Sequence, residues 1–167
     1  NDEGGDGVST AATKSVVFVD TPGHAAFSGM RKNSALATDL VVLVVAVDDG
    51  VQPQTVDALK AARSAGCTII VALNKIDKIY EPVERENARR RVLTQLIEYD
   101  LMAEEFGGDT QVVELSAKTG QGVAGLVEAL ALQSDLLDLK AVQEGPAEAA
   151  ILEAKIERGR GAVVDLL

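Results

Sequence analysis

From about residue 14 onward, apolar runs of strand length alternate with amphipathic stretches of helical length. Ser15-Val16-Val17-Phe18-Val19 predicts a first strand over about 15–20. The unbroken run Leu40 to Val47 predicts a second over about 39–47, and its lack of alternation predicts a strand covered on both faces. A third strand is expected over about 68–73 and a fourth over about 111–115. Between them the spacing predicts helices. The stretch 24–36 carries Ala25, Phe27, Met30 and Leu36 among its apolar positions. The stretch 53–65 opens at Pro53, places Val56, Leu59, Ala62 and Arg63 on its inner side, and ends at Gly66, suited to a left-handed cap. A long helix over 82–99 starts at Pro82 and carries Ala88, Val92, Leu96 and Tyr99, or Leu93 and Ile97, on one face. The last, over 123–134, has Val123, Leu126, Val127 and Leu130 at helical spacing.

Strands alternating with helices of these lengths build βαβ units, so the expected fold class is α/β, with a doubly wound, mostly parallel sheet. After about residue 135 the grammar changes. Ala150 to Glu157 partly alternates, Arg158-Gly159-Arg160-Gly161 turns the chain, and Ala162 to Leu167 follows, which reads as a β-hairpin. The organisation expected is a disordered head over 1–13, an α/β domain over 14–135, a linker over 136–146, and the truncated start of a β-type second domain over 147–167.

Composition narrows the picture. Apolar residues make up 47% and charged residues 25% of the 167, as in ordinary globular proteins. The longest apolar run is strand-sized, far short of the ~18–20 residues that cross a bilayer, so no membrane partner is expected. A net charge of −10 argues against DNA and against a general nucleic-acid-binding surface. Cys67 is the single cysteine, which excludes an internal disulfide framework and gives no ground for a disulfide-linked partner. It opens an apolar run, reads as a small core residue, and fits an intracellular compartment. The acidic, glycine-rich opening is the opposite of a targeting peptide, and without an initiator Met the chain reads as an internal fragment. Arg89-Arg90-Arg91 reads as a solvated face or as an interaction patch.

Candidate chemistry gathers at the carboxyl ends of the strands, where open α/β sheets bind ligands. Asp20-Thr21-Pro22-Gly23-His24 follows the first strand, Asn74-Lys75-Ile76-Asp77 the third, and Ser116-Ala117-Lys118 the fourth. An aspartate delivered there can reach Mg²⁺ through a water, and the glycine lets a backbone N–H approach a γ-phosphate. His24, more often a structural residue type when it stands alone, here sits where it could orient an attacking water. The Asp77 carboxylate can accept both N1–H and the N2 amino group of guanine, a pattern adenine does not offer. Asn74 suits the loop and the base edge, the Lys75 stem can lie on the purine face, Ala117 offers an N–H to O6, and Lys118 walls the other side. Taken singly, Asp20 and Asp77 are equally readable as turn or cap aspartates, and Asn74 as a turn former. Their shared placement on three strand ends points to a guanine nucleotide, GTP or GDP. Asp48-Asp49-Gly50 also lies at a strand's carboxyl end and reads more as turn chemistry than as part of the site.

The motifs resemble the G domain of translational GTPases. The longer run Asp20 to Phe27, with Met30-Arg31, Ala37-Thr38-Asp39 and Val41 through Thr55, looks like bacterial-type translation initiation factor 2, including its organellar forms. Gly107 to Gln111, Leu139-Lys140-Ala141 and Arg158-Gly159-Arg160-Gly161 match the same family. The resemblance covers about residues 15–167 and implies the P-loop GTPase fold followed by a β-barrel. It implies a GTPase that works with the ribosome and initiator tRNA during subunit joining. It implies Asp20 on Mg²⁺, Gly23 on the γ-phosphate, His24 on the water, and Asn74, Lys75, Asp77 and Ala117 on guanine. The family's phosphate loop, Gly-x-x-x-x-Gly-Lys-Thr, and its switch threonine are absent, and Gly4, Gly5 and Gly7 do not replace them. The strand before that loop normally lies between those at 15–20 and 39–47, so both are expected to lose a partner. This chain is therefore expected to be inactive alone. An elongation factor and a non-catalytic interaction module are the competing readings. The compartment is cytoplasmic, or mitochondrial or plastid in a eukaryote; the charge-rich stretch Tyr80 to Arg91 leans towards an organellar form.

Overall fold

The structure, a computed structural model, describes residues 15–21, 33–140, 145–146 and 149–167. Three runs rich in Val, Ile and Leu form strands β1 (Leu40–Ala46), β2 (Thr68–Asn74) and β3 (Gln111–Glu114). They pair in parallel in the order β1-β2-β3, with Leu40 opposite Thr68 and Ile70 opposite Gln111. The crossovers carry helices α1 (Pro53–Ala65) and α2 (Pro82–Ile97), and α3 (Val123–Leu136) follows β3.

Helices cover both faces of the sheet, as a doubly wound fold requires. Leu43, Val45, Val71 and Leu73 form one face, on which Leu59 of α1 and Val92, Leu93 and Leu96 of α2 close the core. On the opposite face α3 lies over β2 and β3, its Gly125 next to Val113. Local chemistry fixes the ends of α1. The Gln52 N–H donates to Thr55 Oγ1, and Gly66 at φ 72° sends its N–H to the Arg63 carbonyl while Cys67 bonds that of Ala62.

The first strand fails to form. Residues 15–20 are irregular, and Val17 and Phe18 are 74% and 68% exposed. Strand propensity needs a partner about 4.8 Å away to become a ladder. Between this segment and the outer edge of β1 lies instead a cleft of about 740 Å³, lined by Val16, Phe18, Leu40, Val42, Ala58 and Leu130. Both edges lack a ladder partner among the described residues, as expected from the sequence. For the same reason β1 is not covered on both faces: Leu43 and Val45 are buried while Val44 is 56% exposed, since α3 sits over the other two strands.

Other expectations shift in detail. Of the stretch 24–36, residues 24–32 lie outside the described residues and 33–36 are helical. Arg63 is not on the inner side of α1 but exposed, 3.7 Å from Asp100. Cys67 is only half-buried, its thiol donating to the carbonyls of Ala35 and Thr38, and burial pushes that thiol's pKa up. Leu130 alone of the α3 stripe is buried; Val123 and Val127 stay exposed, on a helix that packs on β2 and β3. Arg89-Arg90-Arg91 divides: Arg90 and Arg91 are exposed, as a solvated face would be, while Arg89 is largely covered. Arg89 bridges Glu105 and Glu114, Arg90 pairs with Glu86, and Arg91 donates to the backbone carbonyls of Val47 and Asp48.

Past a segment partly outside the described residues, β4 (Ile151–Glu157) and β5 (Gly161–Leu166) pair antiparallel across the turn 158–160. The hairpin read from the sequence is present. The head over 1–13 lies outside the described residues.

Candidate functional site

At the carboxyl edge of the sheet the loops after β2 and β3 lock together. Asn74 ends β2, Lys75 takes a left-handed conformation at φ 67°, and Ile76–Lys78 makes one 3-10 turn anchored by the buried Ile76. The Leu115 N–H continues the β2–β3 pairing to the Leu73 carbonyl, and Ser116 then turns into a loop closed by Gly120 and Gln121. Gly122 starts α3 at φ 77°, and a Cβ there would lie 2.1 Å from the Glu114 carbonyl oxygen, so this tight return admits only glycine.

Two side chains join the loops. Asn74 Oδ1 accepts the N–H of Lys75 at 2.7 Å and that of Ala117 at 3.0 Å. These two donors fix the amide's orientation and leave its NH₂ end without a partner among the described residues. The fully buried Ser116 hydroxyl donates to Asp77 Oδ1 at 2.6 Å and accepts from the Thr119 N–H at 3.2 Å. That hydroxyl, with smaller help from Lys118 and Lys78, holds the Asp77 carboxyl below its ordinary range. The result is an ionised acceptor beside a backbone turn and an outward amide donor.

Lys75 is not loose. Its Nζ lies 2.8 Å from Asp49 Oδ2 and 3.6 Å from Asp48 Oδ1, and Lys78 bonds the other oxygen of Asp48. The Asp49 contact raises the Lys75 pKa above its usual value, and the Lys78 contact lowers that of Asp48.

A family profile described as the elongation factor Tu GTP binding domain matches residues 8–135. The chain belongs to that family. Among curated relatives, translation initiation factor IF-2 of Stenotrophomonas maltophilia (strain K279a) is 51% identical over 152 residues, 91% of this chain and 17% of that protein. The same factor from Anaeromyxobacter sp. (strain Fw109-5) is 53% identical over 152 residues, 91% of this chain and 15% of that protein. The chain thus spans about a sixth of the length of these relatives. Of solved structures, GDP-bound aIF5B from Aeropyrum pernix superposes with a TM-score of 0.68 at 27% identity, covering 81% of this chain and 28% of that one. A bacterial selenocysteine-specific elongation factor gives 0.63 at 26% identity, covering 87% and 24%.

In this member of the elongation factor Tu GTP-binding family, the structure brings Asn74, Lys75, Asp77, Ser116 and Ala117 together, with the exposed Lys118 beside them. Asp20 and Thr21 stand apart. They end the irregular segment, and among the described residues no hydrogen bond or ion pair ties them to the two loops. Pro22, Gly23 and His24 lie outside the described residues. No group of three metal-ligating side chains occurs among the described residues, and no described helix is long and apolar enough to cross a membrane. Sequence reading places Asp48 and Asp49 at a strand's carboxyl end but favours a plain turn there, and their contacts to Lys75 are not part of that reading. It missed Arg91 and Gln95, whose roles depend on α2 folding back behind that turn.

Proposed function

We propose that this chain carries the guanine-recognising edge of a translation initiation factor that binds GTP and hydrolyses it as ribosomal subunits join. The carrying observation is the double clamp between loops: Asn74 to Ala117 and Ser116 to Asp77. Guanine offers two donors, N1–H and N2–H, and two acceptors, O6 and N7. Asp77 supplies the acceptor for the first pair, and the free Asn74 NH₂ supplies a donor for the second. The Ala117 N–H already serves Asn74, so O6 shares that proton rather than meeting a vacant one. Adenine would face Asp77 without a donor at N1, leaving a charged acceptor unpaired. The identities above 50% to IF-2 support initiation over elongation as the process.

The other roles extend this reading. Asp20 acts on Mg²⁺ through a water; a lone carboxylate fits an ion that keeps most of its waters and sits on phosphates. Gly23 serves the γ-phosphate and His24 the attacking water. The ribosome and initiator tRNA are partners of the whole protein. Residues 14–135 form the GTP-binding unit, 136–146 the linker and 147–167 the first hairpin of a β-barrel. The chain holds no Gly-x-x-x-x-Gly-Lys-Ser/Thr loop to cradle phosphates, so alone it binds nucleotide weakly and is inactive as a GTPase.

The test is a GDP titration of the chain beside a version extended upstream through a strand and phosphate loop. Binding is expected to tighten in the extended form and to depend on Asp77. In Asp77→Asn the amide offers one acceptor and one donor, matching N1–H and the C2 carbonyl of xanthine, so preference should move from GDP to xanthosine diphosphate. Equal affinity for both in every variant would overturn the reading.

A further inference from the structure

The turn after β1 was expected more to reverse the chain than to join the site, yet it meets the loop that carries Lys75. Asp49 holds the Lys75 ammonium at 2.8 Å, Asp48 stands 3.6 Å from the same nitrogen, and its second oxygen takes Lys78. The backbone that carries these carboxylates is held from behind. Arg91 of α2 donates to the carbonyls of Val47 and Asp48 at 3.3 and 3.1 Å. Gln95, one turn further along α2, accepts the Val51 N–H at 3.0 Å. Gln52 bonds the Asp49 carbonyl at 2.9 Å, and the Gly50 N–H bonds that of Ala46. The last bond is what any reversal makes; the three side chains, Arg91, Gln95 and Gln52, hold the turn beyond that.

We propose that Asp49, backed by Asp48, is a positioning residue for the guanine site: it pins the Lys75 side chain so that its methylene stem is preset as one wall for the purine ring. The inference rests on the guanine reading of the site. Lys75 has four rotatable side-chain bonds and leaves a left-handed backbone position, so without a partner its stem would sample many directions. With the ammonium tied across to the β1 turn, the stem spans the gap between the two loops and is ordered before any base arrives. Asp48 plays a second part by engaging Lys78, so that Asp49 has Lys75 as its ammonium partner. The same charges explain why two adjacent carboxylates are tolerated: two ammonium groups face them, Lys75 between both and Lys78 on Asp48.

The experiment is an NMR titration of the full 167-residue chain with GDP and with xanthosine diphosphate, a format that reads weak binding. Asp49→Asn should weaken GDP about three- to fivefold, the range an exposed ion pair supports. Asp49→Glu should restore most of the loss, and Asp49→Asn should add nothing further in a Lys75→Ala background, with the melting temperature unmoved throughout. A purely structural turn residue would give additive losses in that double variant and a lowered melting temperature. Asp77→Asn separates the two claims. If it moves preference to xanthosine diphosphate while Asp49→Asn leaves GDP affinity unchanged, or acts additively with Lys75→Ala, the positioning role is wrong and the guanine site stands. If Asp77→Asn moves nothing, or no variant binds GDP, the guanine reading falls and the positioning role with it.

Discussion

Ser116 has no titratable group, yet it governs the charge of the site. Its hydroxyl lowers the Asp77 pKa, so Asp77 is ionised across the neutral range and protonates only on the acid side of ordinary carboxylates. A carboxylate depressed on folding stabilises above its unfolded pKa, and that contribution disappears as pH falls through the folded value. In Ser116→Ala the folded value should climb back towards the ordinary range. The acid limb of GDP affinity should then move to higher pH, followed by ¹³C titration of the Asp77 carboxyl. No upward movement would show that Asp77 is held by something other than Ser116. At this scale the residue types were legible, because Asn, Lys, Asp and Ser sit at strand ends where pattern alone places them. The partners were not. That Asn74 reaches Ala117, and that Lys75 reaches Asp49, depends on loops 43 and 26 residues apart in sequence, which periodicity does not encode.

Arg89 is the clearest case of an element-level staple. From α2 it reaches Glu114 at the end of β3 and Glu105 in the 3-10 turn before it, with only 19% of its side chain exposed. Replacing it by Met keeps the stem packing and strands two acidic groups. An expected loss of ~1–2 kcal/mol, between exposed and buried pairs, would be read as an earlier urea midpoint with unchanged slope. Leu96→Ala, in the same helix but wholly in the core, should cost more, ~2–5 kcal/mol by the same assay. The helix itself was readable from Pro82 and its apolar spacing. The fate of the arginine run was not, because a basic triplet looks the same whether its neighbours are water or glutamates on other elements. The α3 stripe shows the converse: Val123, Leu126, Val127 and Leu130 have helical spacing, but only Leu130 is buried.

For the molecule as a whole, the strand rhythm read from the sequence is the observed rhythm except at 15–20, where propensity had no ladder to join. The open edge of β1 and the apolar cleft beside it belong together. We expect that in a form extended upstream by one strand, the β1 amides facing away from β2 become protected in hydrogen exchange, and Phe18 loses solvent contact. If those amides exchange as fast in both forms, the cleft is not where such a strand goes. The exposed edge also makes self-association of the shorter chain a hazard, visible as concentration-dependent sedimentation.

The inter-loop clamp has a consequence in time as well as space. Asn74 meets Ala117, and Asp77 meets Ser116, across sequence separations of 43 and 39 residues, and only with the three parallel strands in register. Contacts of such range form late, since the intervening chain must be closed first. They span about as much chain as the β2–β3 pairing itself, in which Ile70 lies opposite Gln111, so the clamp closes together with that pairing rather than with the shorter-range β1–β2 pairing. The Ala117 amide proton, held by Asn74 Oδ1, is a built-in clock for that step, since its exchange with solvent requires the clamp to part.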